Sequence, residues 1–208
     1  MKRYTCVFSL LAALLTTLAL PSTALAETSH FRGKTAGGDF YSFDEASCIS
    51  TSIYTFATES RSQVSGGGST DGTSASISIY QWNDCTYEEV TCLYGSISPS
   101  NSEFNMAGNL ASATLNATFQ TYDCLTGATQ PVSAAITWTG EGDISRGHSN
   151  SSYSYGGYRT SYRSNGQSRY ATLGGSVTFG GTTLNLGNAY YSYGYLSNAN
   201  GGTIYSNH

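Results

Sequence analysis

Lysine is almost missing from this chain: after residue 26 only Lys34 occurs. Charged residues of all kinds make up 11% of the sequence, prolines number three, and no acidic residue follows Asp143. Such a chain, with net charge −4, disfavours nucleic acid as a partner, because a phosphate backbone selects basic surfaces. No stretch of twelve residues repeats its apolar positions at helical spacing, which excludes helical bundles and doubly wound α/β folds. No HExxH or paired-histidine motif is present, and the histidines are only His30, His148 and His208. Glycine pairs occur in strand-rich context with no following helix or lysine, so a phosphate-cradling loop is excluded. A second long apolar run is also missing, so nothing after residue 26 is expected to insert into a membrane. No cofactor and no metal is called for.

What is present begins with a leader. Lys2 and Arg3 precede an apolar stretch from Cys6 to Leu20, Pro21 interrupts it, and Ala24-Leu25-Ala26 supplies small residues at −3 and −1. This pattern predicts a secretory signal peptide over residues 1–26 and a single exported domain over 27–208. Four cysteines then remain: Cys48, Cys85, Cys92 and Cys124. An even number in an exported chain predicts two disulfides, in an extracellular or periplasmic setting. Their spacings of 37, 7 and 32 residues lack the paired CxxC of a zinc site. If Glu88-Glu89 form a two-residue turn, Cys85 and Cys92 face each other across a hairpin, which leaves Cys48 for Cys124.

The body of the chain reads as strand. Ile77 and Ile79 alternate with Ser78 and Tyr80; Leu115, Ala117 and Phe119 alternate with polar neighbours; so do Val132, Ala134, Ile136 and Trp138. Period two over such lengths means half-buried strands, with Trp138 in the core. A weak repeat links Gln81-Trp82-Asn83-Asp84-Cys85 to Gln120-Thr121-Tyr122-Asp123-Cys124, 39 residues later, each copy ending a strand at a turn. Asn165-Gly166 and Asn200-Gly201 have the composition of type I′ hairpin turns, Gly180-Gly181 is compatible with one, and Asp71-Gly72 reads as a looser connection. Roughly ten to twelve strands result. The expected fold is all-β: a two-sheet antiparallel sandwich, with a β-barrel as second choice. Only Gly140–Gly157 could mark a domain boundary.

Charge is segregated along the chain. Residues 27–143 hold Arg32, Lys34 and Arg61 against all thirteen acids; residues 144–208 hold Arg146, Arg159, Arg163 and Arg169 against none, with ten of the seventeen tyrosines. A two-residue turn at Asn165-Gly166 would put Arg159, Arg163 and Tyr170 on one wet face, the two arginines about 13 Å apart. Tyr158, Thr160 and Tyr162 would then share the core-like face with Ala171 and Leu173. Planar bidentate donors around an aromatic platform suit an anionic polysaccharide, since guanidinium recognises carboxylate or sulfate and a ring face stacks on sugar C–H groups. The structural alternative is that the arginines keep a sheet edge soluble or face the acidic half of the same fold.

Catalytic constellations are thin. Glu141 and Asp143 have i, i+2 spacing but lie in a glycine-rich turn sequence. His148 has Ser145, Ser149 and Asp143 nearby in sequence only. Asp39, Asp44 and Glu45 lack the calcium-loop pattern. Asn116-Ala117-Thr118 and Asn150-Ser151-Ser152 are glycosylation sequons. The sequence therefore points to an exported, non-catalytic binding or adhesion module, for anionic polysaccharide or a cell-surface component. Two alternatives stand beside it: a structural matrix protein self-associating through strands in 170–208, and a hydrolase.

Overall fold

The computed structural model describes residues 27–207, and the expected signal peptide lies outside them. Ten strands make up almost all of the chain. They are β1 (Glu27–Asp44), β2 (Ile49–Val64), β3 (Ser69–Asn83), β4 (Glu88–Ile97), β5 (Phe104–Met106), β6 (Ser112–Asp123), β7 (Thr129–Tyr155), β8 (Tyr158–Phe179), β9 (Thr182–Asn185) and β10 (Tyr191–Asn207). All described pairings are antiparallel. They run β10-β1-β2-β3-β4-β6-β7-β8 and return from β8 to β10, so eight strands form a ring; β5 adds to β6 and β9 to β8. The all-β antiparallel expectation holds, in a sandwich- or barrel-like form whose two layers are one continuous sheet.

The ring is complete over only half its height. β4 pairs β3 between Ala75 and Asn83, and β6 pairs β7 only as far as Ser112↔Thr139. Past that level β3, β2, β1, β10, β8 and β7 continue alone as an open six-stranded sheet. In the closed half, inward positions are mostly apolar: Phe40, Ile53, Ile77, Leu93, Phe119, Ile136 and Trp138 are buried, with Thr51, Thr55 and Thr121 among them. Trp138 is fully buried, and its Nε1 donates to the Gly37 carbonyl at 3.1 Å, tying β7 to β1 across the core.

Three turns at the closed end share one chemistry. Asp44, Asn83 and Asp123 each end a strand, and each side-chain oxygen accepts the backbone N–H two residues on, from Ala46, Cys85 and Leu125. Cys48, Tyr87 and Gly127, each four residues after its Asp or Asn, have positive φ (56°, 61° and 74°). The weak repeat in the sequence is the trace of this turn, although Asn83 corresponds to Asp123 rather than Asp84.

This turn geometry also corrects the disulfide pairing. Asn83 pairs with Glu88, so the β3–β4 loop is Asp84–Tyr87 and not Glu88-Glu89. Cys85 therefore sits in the loop, while Cys92 lies opposite Tyr80. The bridges are Cys48–Cys85 and Cys92–Cys124, with Cα separations of 5.7 and 5.4 Å. The first joins two neighbouring turns of the closed end, and the second joins β4 to the turn after β6. Two disulfides fit an oxidising compartment, extracellular or periplasmic. No helix among the described residues is long and apolar enough to cross a membrane.

Both Asn-Gly expectations fail. Asn165-Gly166 lies inside β8, paired on one side with His148 and Gly147 and on the other with Asn200 and Ala199. Asn200-Gly201 lies inside β10, and Asp71-Gly72 inside β3. Two flanking ladders outweigh a local turn preference. Gly201 serves close approach instead: a Cβ there would come within 2.5 Å of the Arg163 carbonyl and 2.6 Å of the Phe31 ring. The tight turns are Gly180-Gly181, as expected, and Gly156-Gly157 between Tyr155 and Tyr158, all four with positive φ. The Gly140–Gly157 stretch is thus no boundary. It is a bulge between Glu141 and Ser145 followed by the long arm of β7.

Candidate functional site

Alternate residues of a strand share a face, so the inward face of the closed half can be followed into the open half. On β1 it passes from Phe40 and the buried Ala36 to Lys34, Arg32, His30 and Thr28. On β2 it passes from Ile53 and Ala57 to Glu59, Arg61 and Gln63; on β10 from Leu196 to Asn198 and Asn200. On β8 it passes from Leu173 and Ala171 to Arg169, Gln167, Asn165, Arg163, Ser161 and Arg159. Beyond its bulge, β7 adds Arg146, His148 and Asn150, opposite Gln167, Asn165 and Arg163. The same surface that is a hydrocarbon core below becomes polar and cationic above. The change takes one step, from Ala36–Ala57 to the adjoining pair Lys34–Glu59.

Every lysine and arginine in residues 27–208 lies on this inner surface. The carboxylates on it are Glu59 and Asp71, and both are engaged: Lys34 Nζ to Glu59 at 3.2 Å, Arg61 Nε to Asp71 at 3.3 Å. Both pairs are partly exposed cross-strand contacts, worth about 0–1 kcal/mol each. Arg169 donates from Nε to the Gly142 carbonyl at 3.0 Å, holding the β7 bulge. Among the described residues no salt bridge involves Arg32, Arg146, Arg159 or Arg163. The C-terminal arginines therefore do not neutralise the acidic half of the fold.

The open sheet is curled into a trough. One cleft of about 710 Å³ is lined by Arg61 and Gln63 of β2 and by Asn150 of β7, strands four steps apart in the sheet. A second, of about 610 Å³, brings Glu59 and Arg61 to the same space as Arg146 and His148. The two share Arg32, Arg61, Asn165 and Asn200. Asparagine and glutamine between the arginines supply paired donors and acceptors. Asp44, Glu45, Asp84, Glu88, Glu89 and Asp123 cluster instead around the disulfide-stapled turns at the opposite end. The molecule is an electrical dipole along its strands.

The sequence-predicted residues are partly reunited and partly separated. Arg159 and Arg163 lie on the inner face of β8 and are exposed; Arg163 lines the first cleft, and Arg159 lies on the same face beyond it. Tyr170, on the same continuous strand but at odd spacing from both arginines, points the other way: it is 66% exposed and packs edge-on against Tyr193 at 5.8 Å. The expected common face fails because it rested on the Asn165-Gly166 turn. The face assignment inverts as well. The arginines share their face with Ala171 and Leu173, while Tyr162 alternates to the other face, half-buried and stacked on Phe31 at 6.1 Å, both residues bordering the first cleft. Arg32, Arg61, Arg146, His30 and His148 are trough residues that the sequence reading did not assign. Period-two alternation extended past Ala36 and Ala57 would have found Arg32 and Arg61.

Other candidates do not assemble. His148 faces the trough, whereas Ser145 and Ser149, at odd spacing from it, face outward. Glu141 lies outside, opposite Tyr170, and Asp143 is in the bulge. Asp39 sits in β1 opposite Tyr54, and Asp44 caps its turn. Among the described residues one trio, Glu89, Cys92 and Cys124, has metal-like spacing, but both sulfurs are committed to a disulfide.

Carboxylate acidity is tuned at the turns. The Ser47 hydroxyl and then the Ala46 N–H hold Asp44 below the ordinary carboxylate range. The Leu125 N–H and then the Thr126 hydroxyl do the same for Asp123, and the Ser100 N–H and hydroxyl for Glu103. Each hydrogen bond favours the ionised form.

No protein-family model and no curated protein matches the chain. Among solved structures, one assigned provisionally as AttH, from Nitrosomonas europaea, is similar at 7% identity and TM-score 0.28, covering 86% of this chain and 52% of that one. The chain spans about half the length of that protein.

Proposed function

We propose that the protein is an exported, non-catalytic binding module whose trough takes an anionic polysaccharide. One observation carries this reading: all seven lysines and arginines of residues 27–208 lie on the inner face of the sheet, Arg32, Lys34, Arg61, Arg146 and Arg163 lining its clefts, and only two of the seven are salt-bridged among the described residues. Exposed like charges on one concave surface repel one another, so a fold that gathers them is compensated when an anion enters. Guanidinium groups of Arg159, Arg163, Arg146, Arg61 and Arg32 offer bidentate contacts to carboxylate or sulfate. The asparagines and glutamines between them offer hydrogen bonds to ring hydroxyls. Arg159 and Arg163 from the sequence reading remain in the site; Tyr170, on the far face, is left out of it.

Affinity electrophoresis through gels containing a polyuronate or a neutral glucan tests the reading. The acidic polymer retards the protein at low salt and loses most of its effect at ~0.15 M salt, where charge interactions are screened beyond about 8 Å. The neutral polymer does not retard it. Replacing Arg159 and Arg163 by serine removes two exposed charges of ~0.5–1 kcal/mol each, a loss of roughly 5–30-fold in affinity. Unchanged retardation of that variant, or equal retardation by both polymers, overturns the proposal.

A further inference from the structure

The open half of the sheet ends in two unpaired strand edges, and they differ in length. On β3 only the segment Ser69–Ser74 lacks a neighbour beyond β2. On β7 the segment Ser145–Tyr155 pairs with β8 alone, and no strand among the described residues pairs with its other side. Over these eleven residues the main-chain donors and acceptors of alternate positions stand open, with no proline, no carboxylate and no lysine to guard them and Arg146 as the single arginine. Natural edges carry such guards because a bare edge templates another strand.

We infer that β7 is a homodimerisation edge, pairing antiparallel with β7 of a second copy about a twofold axis at Asn150. The occupant follows from self-complementarity, the condition of a twofold interface. In this register Arg146 lies opposite Ser154 and His148 opposite Ser152, so neither Arg146 nor His148 faces its own copy. Outside, Tyr153 covers Gly147 and Tyr155 covers Ser145, an aromatic shielding a residue without a side chain and another with a small one. Asn150 meets its own copy on the inner face, where amide can bond amide. A one-residue slip would turn inner residues to the outer face, so alternation confines the twofold axis to a residue position, and the Tyr153–Gly147 and Tyr155–Ser145 pairs favour Asn150 among these.

Pairing joins two troughs. The inner row Gln63, His30, Gly202, Arg163 and Asn150 within one molecule continues directly into the same row of its partner. The two Arg163 residues then stand three strand steps apart, about 14 Å at 4.8 Å per step. The inference rests on the unpaired edge and does not require the acidic-polysaccharide reading.

Sedimentation analysis of residues 27–208 over a concentration series gives twice the chain mass. Ser149→Lys with Ser151→Lys, which sets lysine against lysine across the axis, gives the single-chain mass, and so does Ser149→Glu with Ser151→Glu. Mixing the two restores the dimer in equal proportion. Separately, Asn150→Cys cross-links under oxidation while Asn165→Cys, one strand inward on the same face, does not. A single-chain mass for the unaltered protein at all concentrations overturns the inference. So does a dimer that survives in both charge variants, or an Asn150→Cys protein that does not cross-link. The glutamate variant keeps its Arg159- and Arg163-dependent retardation by polyuronate, so failure here and failure of the proposed function register separately.

Discussion

Replacing Trp138 by alanine probes the closed half of the sheet at its most loaded point. The indole is fully buried between neighbours on β6 and β8, and its Nε1 satisfies the Gly37 carbonyl on β1 at 3.1 Å. Deleting a side chain of this size from a core costs about 3–5 kcal/mol in lost burial and residual cavity. The orphaned Gly37 carbonyl adds about 1–3 kcal/mol unless water reaches it. Trp138→Phe separates the two contributions: it keeps most of the packing and loses the hydrogen bond, so its cost falls near the smaller figure. Urea unfolding of the three proteins, with the slope held constant between them, gives the differences. A loss below about 1 kcal/mol for Trp138→Ala would refute the reasoning, since only surface changes are that mild.

Three more outcomes follow from the same structure. Non-reducing peptide mapping recovers peptides joining Cys48 to Cys85 and Cys92 to Cys124, and none joining Cys85 to Cys92; each bridge closes a loop of 37 or 32 residues, worth nearly 4 kcal/mol in the chain-entropy treatment. Asp44, Asp123 and Glu103 have native pKa values below their unfolded ones, so the native state binds fewer protons and their stabilisation is full above the unfolded value and lost as pH falls through the native one. Thermal midpoints should hold from pH 7 to 5 and drop below about pH 4, and Asp44→Asn should flatten part of that drop; a midpoint that rises on acidification contradicts the turn chemistry. Tyr170→Ala leaves polyuronate retardation unchanged, because the ring lies on the outer face; a loss comparable to that of Arg159→Ser with Arg163→Ser would place the ligand outside the trough.

Much of the fold is legible in the sequence because alternation is a local signal. Val132 to Trp138 and Leu115 to Phe119 are buried as their period implies. Gly180-Gly181 turns because no strand among the described residues pairs beyond β9 to compete for that backbone. Asn165-Gly166 carries an equally strong local signal and loses, since β7 and β10 clasp it from both sides, and a ladder on each flank cannot be read from a dipeptide. That one error propagated into the site. With β8 unbroken, Tyr170 moved to the opposite face from Arg163, and the arginines joined the face of Leu173. The cysteine pairing failed for a related reason: the Asn83 side chain sets a four-residue loop, which shifts Cys85 out of register with Cys92. Segregation of charge was visible along the chain, but its meaning was not. The division is between the two ends of the strands, and Arg32, Lys34 and Arg61 reach the basic end because β1 and β2 run beside β10 and β8.

The central claim is that the trough, and no other surface, receives an acidic saccharide. Arginine side-chain Nε–Hε resonances, followed by NMR during titration with a uronate oligosaccharide, test it residue by residue. Saturable shifts at Arg159, Arg163, Arg146, Arg61 and Arg32, with Arg169 moving least because its Nε is held by Gly142, are the predicted result. Shifts that do not saturate, or a response confined to the tyrosines of the outer face, would contradict it.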